Sequence, residues 1–280
     1  MKKINIFKWT LKNSEFGNFG DEISCDILRE IFDYEPISVH PARAELIAAG
    51  SILDTFNRKY EKLSAGMRSI KWAYARFVAP RTLHVWGSGA MNPTTEIVWP
   101  QSHIRYWALR GALTREAVGR EDVAQVPLGD PGILASRLIK TRSVKHHRVA
   151  LVPNHVDMSW LKSETLPRHW TLVDPIGPVK KVLSQIDGSE LVVASSLHGL
   201  ISADSFGIPC VWIKTALPLA GDATFKYLDY ASSRGRPFNV PLDYAQLTGM
   251  SDAEITSLAT VAGREMSAWQ DELIRAFPKF

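Results

Sequence analysis

The residues best suited to chemistry in this chain stand where an apolar run gives way to small and polar side chains. The fullest such junction lies within residues 190–214. Residues 191–194, Leu-Val-Val-Ala, read as a strand buried on both faces. Leu197, Leu200, Ile201, Ala203 and Phe206 then recur at roughly helical spacing, Gly207 and Pro209 end that helix, and residues 210–213 begin a second buried strand. In a strand-helix-strand unit the carboxyl end of the first strand and the amino end of the helix border the crevice where open α/β sheets take ligands. Ser195, Ser196 and His198 fall at that junction, where free N–H groups and the helix dipole favour an anion. A histidine there can move a proton beside a bound phosphate or carboxylate. The same residues would equally serve as an N-cap and a partly buried polar side chain.

The first half of the chain repeats the pattern. Residues 4–9 read as a strand and residues 13–21 as a glycine loop, with Asn18, Gly20 and Asp21 where backbone approaches a ligand closely. Ile23, Ile27, Leu28, Ile31 and Phe32 mark one face of the helix that follows. The loop matches neither the dinucleotide fingerprint nor the phosphate-binding P-loop. Strands are also expected at residues 46–49 before Gly50 and Ser51, at 83–86 before Gly87, Ser88 and Gly89, and at 123–126 before Gly129, Asp130, Pro131 and Gly132. Residues 104–109 form a strand that runs into Arg110, Gly111 and a helix over 112–118. Arg110 and Arg115 thus lie at and near a helix start, where an always charged, planar donor fork suits a carboxylate or phosphate.

The elements that must hold these junctions alternate strand and helix in both halves, which reads as an α/β protein of two domains. With 280 residues the chain accommodates two cores, and the polar, basic stretch 136–148 sets a boundary that gives domains of residues 1–142 and 143–280. In the second, strands are expected at 149–152 and 171–173, a loop at Pro153, Asn154 and His155, and helices at 179–186 and 223–231. Ser251 and Glu254 form a capping box that opens one or two further helices before residue 277. Apolar residues are 45% of the chain and charged residues 22%, as in ordinary globular proteins. The net charge of +4 suits anionic ligands or an anionic membrane surface, and there is no motif for nucleic acid. Cys25 and Cys210, one in each half, are expected to be reduced and form neither a bridge framework nor a metal-ligand spacing. The start of the chain reads as neither a signal peptide nor a membrane span, so the expected location is the cytoplasm. In residues 58–81, seven Lys and Arg alternate with Tyr, Trp, Leu, Met and Phe. Such a helix either lies on an anionic membrane or packs its apolar side and solvates the basic one.

Hydride transfer is disfavoured by the missing glycine fingerprint and serine nucleophilic catalysis by the missing G-x-S-x-G elbow. His146 and His147 are adjacent in the linker and His155 and His169 are scattered, so no metal-ligand set is legible. What remains is an anion-binding cleft between two α/β domains.

Five segments taken in order carry a resemblance. They are Asn18-Phe19-Gly20-Asp21, Val85-Trp86-Gly87-Ser88-Gly89, Ala108-Leu109-Arg110-Gly111 with Thr114-Arg115, Gly129-Asp130-Pro131-Gly132, and Ser195-Ser196-Leu197-His198-Gly199. From about residue 5 to residue 214 the chain resembles the polysaccharide pyruvyltransferases, in the branch that makes pyruvate ketals on bacterial exopolysaccharides. The resemblance implies two Rossmann-like domains with a cleft between them, similar to the two-domain glycosyltransferase (GT-B) fold. It implies phosphoenolpyruvate as co-substrate with no resident cofactor or metal, and a lipid-linked oligosaccharide acceptor met at the inner membrane surface. His198 would be the acid-base group. Arg110, Arg115, Ser195, Ser196, Gly87, Ser88 and Gly89 would hold the donor, and Asn18, Gly20, Asp21 and Asp130 would form the acceptor or cleft loops. The sequence departs from the family where many members carry an arginine, here Ser196, and an aspartate, here Gly111. Lys214 is one candidate for the missing positive charge. A nucleotide-sugar glycosyltransferase and a non-catalytic anion- or sugar-binding protein would share the same layout.

Overall fold

The computed structural model describes all residues except 12–14, 54–81, 93–102 and 216–223, so the basic, aromatic stretch 58–81 lies outside the described residues. The first half contains β1 (Lys2–Phe7), α1 (Phe19–Ile31), β2 (Tyr34–Ser38), β3 (Leu46–Ile47), β4 (Leu83–Trp86), β5 (Ile104–Ala108) and α2 (Ala112–Val118). Its five strands are parallel and ordered β2-β1-β3-β4-β5. After a 3-10 helix, Pro131–Leu138, come β6 (His147–Val152), α3 (Met158–Leu161), β7 (Trp170–Leu172), α4 (Val179–Asp187), β8 (Ser189–Ala194), α5 (Leu197–Phe206) and β9 (Cys210–Trp212). These four strands form a second parallel sheet, ordered β7-β6-β8-β9. The chain ends in α6 (Phe225–Ala231), α7 (Tyr244–Thr248), α8 (Asp252–Leu258) and α9 (Met266–Arg275).

Strand order places the ligand crevice. In the first sheet the chain leaves β1 toward β2 and leaves β3 in the opposite direction toward β4, and in the second it leaves β6 toward β7 and β8 toward β9. At each reversal the loops beyond the strands' carboxyl ends part and leave a crevice. Asn18 to Asp21 follow β1 and Gly50 and Ser51 follow β3, while His155 follows β6 and Ser195 to His198 follow β8. The crevices face one another. Phe19 N–H donates to Pro175 O (2.8 Å) and Asn18 bridges to Ile176, beyond β7.

The apolar core is continuous across the two sheets. One cluster runs from Ile4 and Ile6 of β1, through Ile133 and Leu134 of the 3-10 helix, to Val192 of β8 and Phe277. Every residue of α5 is buried except His198, because the helix packs on its own sheet with one side and on the 3-10 helix with the other. A helix buried on every side is an interior helix. Its one half-buried side chain is therefore the one at the crevice.

Two local expectations change. Residues 123–126 are not a strand: Gly119, at φ 62°, ends α2, a short 3-10 turn covers Glu121–Val123, and pairing shrinks to a single bridge between Leu109 and Leu128. The polar texture of residues 136–138 belongs to the last turn of the 3-10 helix, where Leu138 is buried. Ser136 N–H donates to Ser205 Oγ (2.9 Å), and Ser136 Oγ accepts from Gln270 Nε2 (2.9 Å), so the polarity is satisfied internally. The last helix also crosses back to the first sheet. Trp86 Nε1 donates to Leu273 O (2.9 Å) and Phe277 stacks on Phe32 at 3.8 Å.

Candidate active site

Two helix starts meet at His198. Asn18 caps α1, its Oδ1 accepting from Gly20 N–H at 3.0 Å, and Ser196 caps α5, its Oγ accepting from Gly199 N–H at 3.3 Å. A Cβ on Gly20 would collide with the imidazole of His198, so the first turn of α1 reaches the ring only because position 20 has no side chain. The opposite side of the ring lies against Gly132, whose Cβ would stand 3.3 Å from His198 Cδ2, and Phe19 meets the ring edge to face.

His198 Nε2 points at Asp130 Oδ1, 3.6 Å away. That oxygen also accepts from Gly132 N–H (2.8 Å), because Asp130 caps the 3-10 helix. Among the described residues neither His198 Nε2 nor Asp130 Oδ2 has a hydrogen-bond partner, although both atoms are buried. Buried polar atoms are nearly always paired, and exceptions collect where a ligand or proton completes the set. Burial alone would raise the Asp130 carboxyl, but the His198 ring, the Gly132 N–H and the Arg110 charge together hold it below the usual carboxylate range. Asp21, one residue beyond Gly20, goes the other way. Burial pushes its carboxyl up to about 6, with His198 pulling against that shift, Glu22 adding to it, and Lys8 and Lys226 opposing it. One carboxylate is firmly ionised and its neighbour titrates near neutrality, the division of labour that acid-base sites use.

The second crevice adds three groups that the sequence did not single out for the site. His155 Nδ1 lies 3.4 Å from Asn18 Nδ2, and burial, then the charge of Lys226, lower its pKa against the pull of Asp157. Lys226, on α6, is half-buried, and burial with the nearby Arg110 charge brings its ammonium down to about 8 against the pull of Asp21. Asp229, one turn further along α6, anchors that helix. No motif marked these residues, since each reaches the site through the fold.

Several expected donor-binding residues are held by the protein itself. Arg110 is fully buried, donating from Nε to Asp229 Oδ2 (2.7 Å), from one terminal nitrogen to Ala90 O (2.6 Å) and from the other to Ser51 Oγ. Asp229 accepts in addition from Thr114 N–H and Oγ1 (2.7 and 2.6 Å). Gly111 lies against the Asp229 backbone and Gly89 against the guanidinium, while Gly87, at φ 79°, presses on Pro131. Ser88 Oγ donates to Gly50 O (2.9 Å). These groups fasten the turns after β3, β4 and β5 to α6, and the Arg110 charge reaches the site through space, at Asp130 and Lys226. Ser195 Oγ donates to Asp157 Oδ2 (3.1 Å) and accepts from Asn154 N–H (2.9 Å), which fixes the loop beneath His155. Arg115 donates to Val126 O (2.5 Å), and Lys214 pairs at the surface with Asp243 (3.2 Å). The structure thus gathers Asn18, Gly20, Asp21, Asp130 and His198 and turns Arg115 and Lys214 elsewhere.

Two parallel α/β sheets with facing crevices, and a histidine-carboxylate pair where two helix starts meet, form the candidate site. Residues 120–216, which contain both Asp130 and His198, match the family "Polysaccharide pyruvyl transferase". Over 247 residues the chain is 26% identical to the succinoglycan biosynthesis protein ExoV of Rhizobium meliloti (strain 1021), covering 82% of this chain and 66% of that one. Over 126 residues it is 32% identical to the uncharacterized protein L143 of Acanthamoeba polyphaga mimivirus, covering 41% and 42%. The likeness to the polysaccharide pyruvyl transferase family is thus carried by residues 120–216, about a third of the chain. It spans about two thirds of the first of these relatives and under half of the second. Across 97% of its length it also superposes, at TM-score 0.45 and 11% identity, on the UDP-GlcNAc 2-epimerase of Methanocaldococcus jannaschii, covering 98% of that chain.

Proposed function

We propose that the protein moves the pyruvyl group of phosphoenolpyruvate onto two hydroxyls of a sugar in a lipid-linked exopolysaccharide repeat unit. The observation that carries this reading is the His198–Asp130 pair, whose two residues lie in the family-matched span and whose Nε2 and Oδ2 are unpartnered among the described residues, at the meeting of two helix N-termini. The similarity to a succinoglycan biosynthesis protein supports a polysaccharide acceptor.

The chemistry follows from the donor. The methylene carbon of the enol phosphate takes a proton from His198, whose positive charge the ionised Asp130 stabilises, and positive charge develops at carbon 2. A first sugar hydroxyl forms a bond to that carbon and releases its proton to Asp21. The bond from carbon 2 to the phosphate oxygen then breaks. A second hydroxyl closes the ketal and gives up its own proton. Two protons leave the hydroxyls, one replaces that delivered to the methylene carbon, and one departs on the phosphate. The N–H groups at the start of α5 face the developing negative charge.

Among the described residues no helix is long and apolar enough to cross a membrane. A lipid-linked acceptor must be met at the bilayer surface, and we assign that contact to the basic, aromatic residues 58–81.

The test is phosphate release from phosphoenolpyruvate in the presence of lipid-linked oligosaccharide, for the unaltered protein and His198→Ala, with circular dichroism of both. The unaltered protein should release phosphate only when acceptor is present, and the variant should be folded and inactive. A folded variant that turns over normally removes His198 from the mechanism. Thermal stabilisation by nucleotide sugars but not by phosphoenolpyruvate overturns the donor.

A further inference from the structure

Lys226 stands out among the cations of this protein. Lys8 pairs with Glu22, Lys180 with Glu30, and Lys145 donates to the carbonyls of Asp187 and Ser189. Lys226 is half-buried beside the site and has no hydrogen-bond or ion-pair partner among the described residues. The Tyr227 ring lies beneath the amine, its centroid 5.1 Å from Nζ. Its helix is rigidly seated. Asp229, one turn along, is tied to Arg110 and Thr114 at the corner of β5 and α2, and Tyr227 OH donates to Ser195 O (2.6 Å) at the corner of β8 and α5. The amine is thus held between the two crevices, within electrostatic reach of Asp21 and His155.

We propose that Lys226 is the cation that receives the phosphate of the donor. The inference rests on the pyruvyl-transfer reading and names a residue for one half of its donor site. A poorly solvated ammonium with a like-charged arginine nearby and no partner of its own is raised in energy until an anion arrives. Arg110, by contrast, is neutralised by Asp229 and offers no free donor fork. A compact point charge suits a phosphate, which asks for charge from any direction, better than it suits a carboxylate, which favours a planar fork. The groups facing the amine are Arg110, Asp21, His155 and the Tyr227 ring. Asp21 titrates near 6, the His155 pKa is lowered and that of Tyr227 is raised. In the alkaline window above neutrality, Lys226 itself changes charge.

The unaltered protein, Lys226→Met and Lys226→Arg are titrated calorimetrically with phosphoenolpyruvate and, separately, with inorganic phosphate, at pH 7 and pH 9.5. Lys226→Met should melt no lower than the unaltered protein, since it removes a poorly solvated charge. It should bind both ligands roughly ten- to a hundredfold more weakly, as expected for one lost charge-assisted contact. Lys226→Arg should restore most of that affinity and keep it at pH 9.5, where the unaltered protein loses affinity. Equal binding by Lys226→Met and the unaltered protein overturns the role of Lys226 and leaves pyruvyl transfer standing. If the unaltered protein binds phosphate but not phosphoenolpyruvate, and Lys226→Met binds phosphate poorly, the anion site stands and the donor falls. No binding of either anion to the unaltered protein overturns both.

Discussion

Asp21→Asn offers the sharpest test of the site's electrostatics, because it should make the protein more stable and less active at once. Burial raises the Asp21 carboxyl from 3.8 to about 6, so at neutral pH the folded state holds an ionised group that it solvates worse than water does. The sign follows from proton linkage. Between pH 3.8 and 6 the folded state binds more protons than the unfolded state, so this group's contribution falls as pH rises through that window and is fully unfavourable above it. A carboxyl displaced that far costs about 3 kcal/mol once both states are ionised. An amide of the same shape removes that penalty. In urea, Asp21→Asn should gain about 2–3 kcal/mol at pH 8, and roughly half as much at pH 5, where the native carboxyl is largely protonated. On the proposed reaction, ketal formation should fall at least a hundredfold, on the order of a lost general base. A variant that is equally stable at both pH values, or less stable at pH 8, would refute the claim that the fold holds Asp21 against its solvation.

Three further outcomes are expected. Gly20→Ala should leave far-ultraviolet circular dichroism intact and abolish turnover, since its methyl group must displace the His198 ring from Asp130; a crystal structure with the ring unmoved would count against that geometry. Asp229→Ala should destabilise the protein by about 3–5 kcal/mol by leaving Arg110 buried without its carboxylate, and a midpoint in urea unchanged from the unaltered protein would show that the pair is dispensable. Replacing Lys62, Arg68, Lys71 and Arg76 by Gln should reduce sedimentation with anionic liposomes by about 1 kcal/mol for each charge that touches the leaflet, while activity on a short water-soluble acceptor is kept. If the unaltered protein shows no preference for anionic over neutral liposomes at low salt, these residues have no part in membrane contact.

What the sequence by itself determined was local. β8 and α5 were legible because burial on both faces leaves an unbroken apolar run and a helix repeats every 3.6 residues, and those demands are met by neighbours in the chain. The Ser251–Glu254 capping box and the turn at Asn18 were legible for the same reason, since a cap answers to N–H groups two or three residues away. His198 and Asp130 each stood out at a strand-to-turn junction, yet nothing in either segment said that the imidazole would face that carboxylate. The fate of Arg110 was decided entirely by tertiary structure: a guanidinium at a strand end reads as an anion receptor until a carboxylate 119 residues away arrives to neutralise it. Lys226 was hidden for the converse reason. The role proposed for it rests on the partner it lacks among the described residues, and that lack becomes visible only once its neighbours are brought into place by the packing of two sheets, a 3-10 helix and a short helix whose own sequence carries no motif.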